Sequence, residues 1–313
     1  MEDILISAEV NLELIVLKLN GRKIMLNECD EEGFIESFYH RYSTSIFNTL
    51  LCDRTTGHNI IWANNDYEPV FNNEITSTNC GVIKPRIEKG LEKQSNRTKV
   101  RAEVFTPSWL CNQMNNDIDE MWFGRRDIFN TETVSDDGVN TWTTTYDLID
   151  FPESKEHGWR EYVESPRLEI TCGEAPFVCS RYDTVTGYKL PVRDRVGFLD
   201  RKLRAVTENT KTREEWVRGA LDALRATYGF EYQGDNLLIA RINVFETFVE
   251  HLRNSWDLDP EENELEWAAW IISWNFWQMD GLTDAVPTNN TVRRCMIYDW
   301  QNDEPIEFAS LKG

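Results

Sequence analysis

Two short stretches about sixty residues apart constrain this chain most. One is Arg167-Leu-Glu-Ile170, which follows Pro166, predicts a short strand, and runs straight into the turn Cys172-Gly173. The other is Glu103-Val-Phe-Thr-Pro107. There Thr106 is a good N-cap, and Pro107 suits a first helical position. Trp109, Leu110, Met114, Ile118, Met121 and Trp122 then recur at helical spacing. A strand that ends in a glycine turn is how an open α/β sheet offers backbone N–H groups to a ligand beyond its carboxyl edge.

Around these anchors the chain reads as mixed α and β. Asn20-Gly21 between Leu12–Leu19 and Lys23–Leu26 predicts a hairpin. Residues 32–52 repeat apolar positions at helical spacing, Asn59–Trp62 predicts a short strand, and the polar stretch 63–100 predicts a linker. Residues 130–145, rich in Thr and Asp, predict loop or edge strand. Three amphipathic helices are expected at 213–229, 236–252 and about 261–277, with Gly229 as the stop of the first. In the third, Trp267, Trp270, Trp274 and Trp277 form a stripe that predicts core packing rather than a base-stacking platform. One more strand is expected at Arg294–Asp299.

The bulk numbers exclude several classes. A chain of 313 residues, 41% hydrophobic, can bury a substantial core and is not disordered. No apolar run reaches the roughly 18 residues of a membrane span. Met1-Glu-Asp lacks a basic leader, so a cytoplasmic protein is expected. Seven cysteines without a CxxC pair read as reduced thiols, and four isolated histidines give no zinc-ligand spacing. Glu231 and Asp235, near Gly234, are the only acidic pair weighed as a metal site, and such pairs are common in loops. There is no Gly-x-Ser-x-Gly and no Walker-type phosphate loop. The net charge of -21 argues against tight DNA binding by this chain alone and fits contact with DNA through a partner.

Glu169-Ile-Thr-Cys172-Gly173-Glu174-Ala175-Pro176-Phe177-Val178 resembles the Asp-Pro-Ala-Cys-Gly-Ser-Gly-x-Phe-Leu loop of adenine-N6 DNA methyltransferases of restriction-modification systems. It departs at Ala175, where that family has its second glycine. Glu103–Pro107 resembles the family's Glu-Val-Phe-Thr-Pro segment, which lines the methionine end of the cofactor. Trp274-Asn275-Phe-Trp-Gln-Met-Asp280 looks like the segment whose acid binds the ribose, and Ile297-Tyr-Asp299 like the strand end that contacts the adenine. Asp200 competes with Asp280 for the ribose role.

The resemblance implies a partial Rossmann-like methyltransferase core over 99–313, apparently truncated, with a helical insertion at 181–265. Residues 1–98 would be an N-terminal α+β accessory region and linker. It implies S-adenosylmethionine as cofactor, held by Phe105, Thr106, Pro107, Glu169, Cys172, Gly173, Asp280 and Asp299. The Asn/Asp-Pro-Pro-Tyr/Phe motif that holds a flipped base occurs nowhere in the chain. That element would come from a partner restriction or methyltransferase subunit, or from a downstream part. The expected function is therefore a methyltransferase-like subunit of a restriction-modification or phage-defence system. The rival expectation is a non-catalytic acidic protein that binds such a subunit.

Overall fold

Three parallel strands organise the protein, and each is short because the chain leaves the sheet at a cap or turn. In a computed structural model, residues 16–19, 22–25, 33–62, 74–89, 106–136, 138–153, 156–287 and 292–312 are described. In chain order the elements are β1 (Val16–Leu19), β2 (Arg22–Met25), α1 (Phe34–Arg41), α2 (Thr44–Leu51), α3 (Ser108–Phe123), β3 (Asn130–Val134), β4 (Asn140–Thr144), α4 (Trp159–Glu164) and β5 (Arg167–Ile170). There follow α5 (Phe198–Asn209), α6 (Arg213–Arg225), β6 (Thr227–Glu231), α7 (Gly234–Trp256), α8 (Glu262–Asn275), β7 (Phe276–Gln278), β8 (Met296–Asp299) and β9 (Glu304–Glu307).

The parallel sheet has the order β5-β6-β7, with Arg167 opposite Thr227 and Gly229 opposite Phe276. Each crossover carries two helices, α5 and α6 from β5 to β6, then α7 and α8 from β6 to β7. Alternation along the strands decides what each face meets. Arg167, Glu169, Thr227 and Phe276 point to the helices, which supply the main apolar core. Phe230 and Trp277 point the other way, into a smaller core with Ile297 and Phe308. The antiparallel β8-β9 hairpin covers that second face only over β6 and β7.

α7 lies at the centre, with its residues from Gly234 to Val249 buried. Its Arg241 is fully buried and stays compensated by four backbone carbonyls, donating to Leu50, Cys52, Ser273 and Phe276. This guanidinium ties α2 to the strand β7. Residues 35–62 and 75–83 thus contribute to one apolar core with the helices of the later chain.

Several expectations change here. The 213–229 helix ends at Arg225, and Tyr228 and Gly229 belong to β6. A strand therefore interrupts the expected insertion at 181–265. The 32–52 segment breaks into α1 and α2, because Ser43 caps the second helix through Ile46 N–H. Residues 130–145 form the hairpin β3-β4, and β1 pairs antiparallel with β2, with Leu19 opposite Arg22, while Asn20 and Gly21 lie outside the described residues. In the tryptophan stripe, Trp267 is half exposed, Trp270 and Trp274 pack against Tyr298, and Trp277 stands on β7. Among the described residues no helix is long and apolar enough to cross a membrane.

Candidate functional site

The carboxyl ends of β5, β6 and β7 are where an open parallel sheet meets a ligand. β5 ends in a loop with three left-handed residues, Thr171 (φ 56), Gly173 (φ 55) and Ala175 (φ 67). Only glycine adopts that region freely, and a β-branched threonine there is an outlier. Local strain of this kind is held in place by surrounding structure and clusters at functional sites. Ala175 takes the left-handed conformation although it carries a Cβ, and it is fully buried. Ala175→Gly is therefore expected to stabilise the protein by roughly 1 kcal/mol, since left-handed backbone costs an L-residue about that much. Urea unfolding measures this, and a loss of stability would mean that the buried methyl contributes more than the strain costs.

Glu231 closes the loop from the neighbouring strand. Its carboxylate accepts the Gly173 N–H at 2.9 Å and the Gln233 N–H at 2.9 Å, so one side chain joins the loops after β5 and β6. Glu174 turns inward and accepts the Arg86 N–H at 2.7 Å and the Tyr182 hydroxyl at 2.9 Å. Cys172 is buried, and its thiol is pushed well up by burial and then by the charges of Glu231 and Glu169. Glu169 differs from its neighbours. Among the described residues nothing donates a hydrogen bond to it, and burial alone lifts its carboxyl to about 7.

The start of α3 comes to the same end of the sheet. Pro107 is the N-cap, one residue later than the sequence suggests, and Thr106 offers its carbonyl to the Cys111 thiol and the Thr184 hydroxyl. The Ser108 N–H is capped by Asp183 Oδ2 at 2.9 Å. Burial works to raise Asp183, but the donors on Ser108 and Thr186 outweigh it and hold the carboxyl below its ordinary value. Cys111, one turn into the helix, is buried, and its thiol is raised by burial, then by Glu169 and Asp183. Thr106, Pro107, Glu169, Cys172 and Gly173 thus gather at one end of the molecule. Phe105 lies outside the described residues.

The other sequence candidates fare differently. Asp280 follows β7, two strands from β5, and accepts the Leu282 N–H at 2.9 Å in a turn. It is at the carboxyl end of the sheet, since Met279 N–H continues the ladder to the Glu231 carbonyl. Asp299 is at the opposite end. It ends β8, which pairs with β9 and not with the parallel sheet, and it lines a groove with Pro166, Arg167 and Ala226 at the strands' amino ends. The Asn302 amide and the Gln301 and Asn302 N–H groups hold its carboxyl below the ordinary range. Asp200 is buried in α5, where it accepts the Ser180 and Gly197 N–H groups and meets His251 Nε2 at 3.0 Å. Neither acid can reach a ligand at the Gly173 loop.

Glu231 is the residue that sequence reading weighed only as half of a metal pair. It is the last residue of β6, the strand next to β5, and its carboxylate lies against the loop after β5. The signal was Tyr228-Gly-Phe-Glu231, an alternating run with a glycine, hidden by its phase with the preceding helix. Among the described residues no group of three metal-ligating side chains occurs.

Taken together, the carboxyl end holds Glu169, Glu231, Asp235 and Asp280, with Lys89 3.8 Å from Asp235. Such a site repels phosphates and favours hydroxyl donors or a cationic group. A protein with a mixed α/β fold and an acidic, glycine-turned strand end is the class defined here. No protein-family model, no curated protein and no solved structure is significantly similar to the chain.

Proposed function

We propose that the carboxyl end of the β5-β6-β7 sheet is half of a Rossmann-like core that binds S-adenosylmethionine, in a methyltransferase-like subunit of a restriction-modification or phage-defence system. The observation that carries this reading is the bridge from Glu231 to the Gly173 N–H beside Glu169, whose carboxyl burial lifts to about 7. A phosphate-free, cationic nucleoside suits this arrangement better than a dinucleotide does. Glu231 takes the ribose role first expected of Asp280, because it ends the strand adjacent to β5. Asp280, one strand further on, then stands nearer the adenine, and Asp299 has no part in the site. The start of α3 at Pro107 faces the methionine end.

The chemistry would be methyl transfer to adenine N6, with this chain contributing position and charge rather than a proton shuttle. The element that holds the flipped base is not in the sequence, so DNA would be reached with a partner subunit. Calorimetry with S-adenosylmethionine and S-adenosylhomocysteine tests the reading. Glu231→Ala is expected to weaken binding roughly 10- to 100-fold, the worth of charged hydrogen bonds of about 1.5–3 kcal/mol. Asp299→Ala is expected to leave it unchanged. No binding of either compound at millimolar concentration overturns the proposal.

One observation favours the non-catalytic reading, an acidic protein that binds a restriction or methyltransferase subunit. The side chains of Cys172, Glu174 and Ala175 are packed into the interior, and the Gly173 N–H is already engaged. Absence of cofactor binding together with co-elution with such a subunit would select it.

A further inference from the structure

Parallel sheets are normally covered on both faces, because their strands carry apolar side chains on both. Here β5 is an exception. It is the edge strand of the sheet, and among the described residues nothing pairs with its outer side. The amide of Arg167, at the start of the strand, turns to β6 and donates to Ala226. By alternation those of Leu168 and Ile170 turn outward. The side chains of Leu168 and Ile170 are also exposed, at 41% and 66%, on the face that the β8-β9 hairpin leaves bare. Beside them runs a groove of about 620 Å³, lined by Leu168, Tyr228, Trp277, Ile297, Ile306 and Phe308.

An open apolar edge is a template for another strand unless it is blunted by lysine, proline or a bulge. β5 has Arg167 at its start, but that guanidinium is turned inward to Asp119. The charges around the groove decide what fits. Arg225 is paired with Asp222. Glu164 and Asp299 remain on the rim, with Glu161 one turn before Glu164. The Glu164 carboxyl is pushed up by burial and by its acidic neighbours Asp222 and Glu161, and Arg160 offsets this only in part. A second copy would bring the same acids against themselves, which opposes self-pairing.

We infer that the outer edge of β5 and the adjoining groove dock an extended segment of a different polypeptide, apolar at alternate positions and flanked by lysine or arginine. The segment adds a strand beside Leu168–Ile170, places its apolar side chains over the groove, and sets its cations against Glu161, Glu164 and Asp299. This holds whatever occupies the carboxyl end of the sheet. If the methyltransferase reading is right, the added strand is also the route by which the missing base-holding part joins the core.

The test uses the full chain and two nine-residue peptides of alternating valine and threonine, one ended by lysine pairs and the other by glutamate pairs. Fluorescence anisotropy in low salt is expected to show the lysine peptide binding at least tenfold tighter. Ile170→Lys, at an exposed position that leaves the fold intact by circular dichroism, is expected to abolish the binding. Glu164→Lys is expected to narrow the gap between the peptides. Hydrogen exchange at Leu168 and Ile170 is expected to be fast in the protein alone and slowed by the peptide. Equal affinity for the two peptides, or none for either, overturns the inference. So does slow exchange in the protein alone, which would mean that the chain covers its own edge. A dimer by light scattering that Ile170→Lys dissolves would put a second copy there and overturn it as well.

Discussion

Asp119→Ala is expected to lower the stability of the protein by about 4 kcal/mol, the cost of stripping the counterion from buried cations. Asp119 is buried on α3 and accepts from Arg201 Nη1 at 2.6 Å, Arg167 Nη2 at 3.0 Å and the Tyr162 hydroxyl at 2.8 Å. Arg201 is 1% exposed, so no water replaces the lost carboxylate. Lys202, the next residue, is fully buried and held by the carbonyls of Ser165 and Ala226, at the amino ends of β5 and β6. Burial and then the Arg167 charge press its ammonium well below the usual lysine range, while Asp119 works to raise it. Without Asp119, Arg167 and Arg201 compete in one unscreened space. Asp119→Asn keeps an acceptor and is expected to lose less. Urea unfolding of both variants measures the difference, and a loss below about 1 kcal/mol for alanine would mean that the cluster is solvated.

Glu169→Gln is expected to act in the opposite direction. The Glu169 carboxyl rises from an ordinary 4.5 to about 7 through burial. A raised acid charges more readily in the unfolded chain than in the folded one. The folded state therefore bears no penalty below about pH 4.5, loses stability as pH climbs toward 7, and levels off above it. The displacement corresponds to about 3 kcal/mol at most, and partial exposure of Glu169 brings the expected gain at pH 8 to about 2 kcal/mol. The variant and the parent should converge near pH 4. A gap that persists there would assign the effect to packing. The same carboxyl gives the cofactor proposal a second readout. A cation bound beside Glu169 favours the charged form, so binding at pH 7 should release a proton, seen as a heat that changes with the buffer's own ionisation.

How far the sequence could be read depends on the range of the interactions that define each element. The start of α3 to within one residue and the turn after Ile170 were legible because local turn and proline chemistry sets them. β6 was not. Thr227–Glu231 continues the apolar phase of α6 through Tyr228, and what makes it a strand is parallel pairing with Arg167–Ile170, sixty residues away. With that strand unread, acids at strand ends were sought at Asp280 and Asp299, whereas Glu231 ends β6 and Asp280 follows β7. β7 was absorbed into the tryptophan stripe for the same reason. Asp299 does end a strand, but its ladder is the hairpin with β9, a choice that no local pattern announces.

The contact between the early chain and β7 has a consequence for how the protein is made. Gln278 holds the Ile61 backbone through both of its amide atoms, at 2.9 and 2.7 Å, and Gly234 meets that backbone so closely that a Cβ would lie 1.9 Å from the Ile61 carbonyl oxygen. The two partners are 217 residues apart. At a ribosome speed of about 5–20 residues per second, Ile61 and the apolar faces of α1 and α2 emerge roughly 10–40 s before their seat exists. Nascent chains of this protein thus spend that interval with unburied phenylalanines and isoleucines, a target for holdase chaperones that the finished molecule no longer offers.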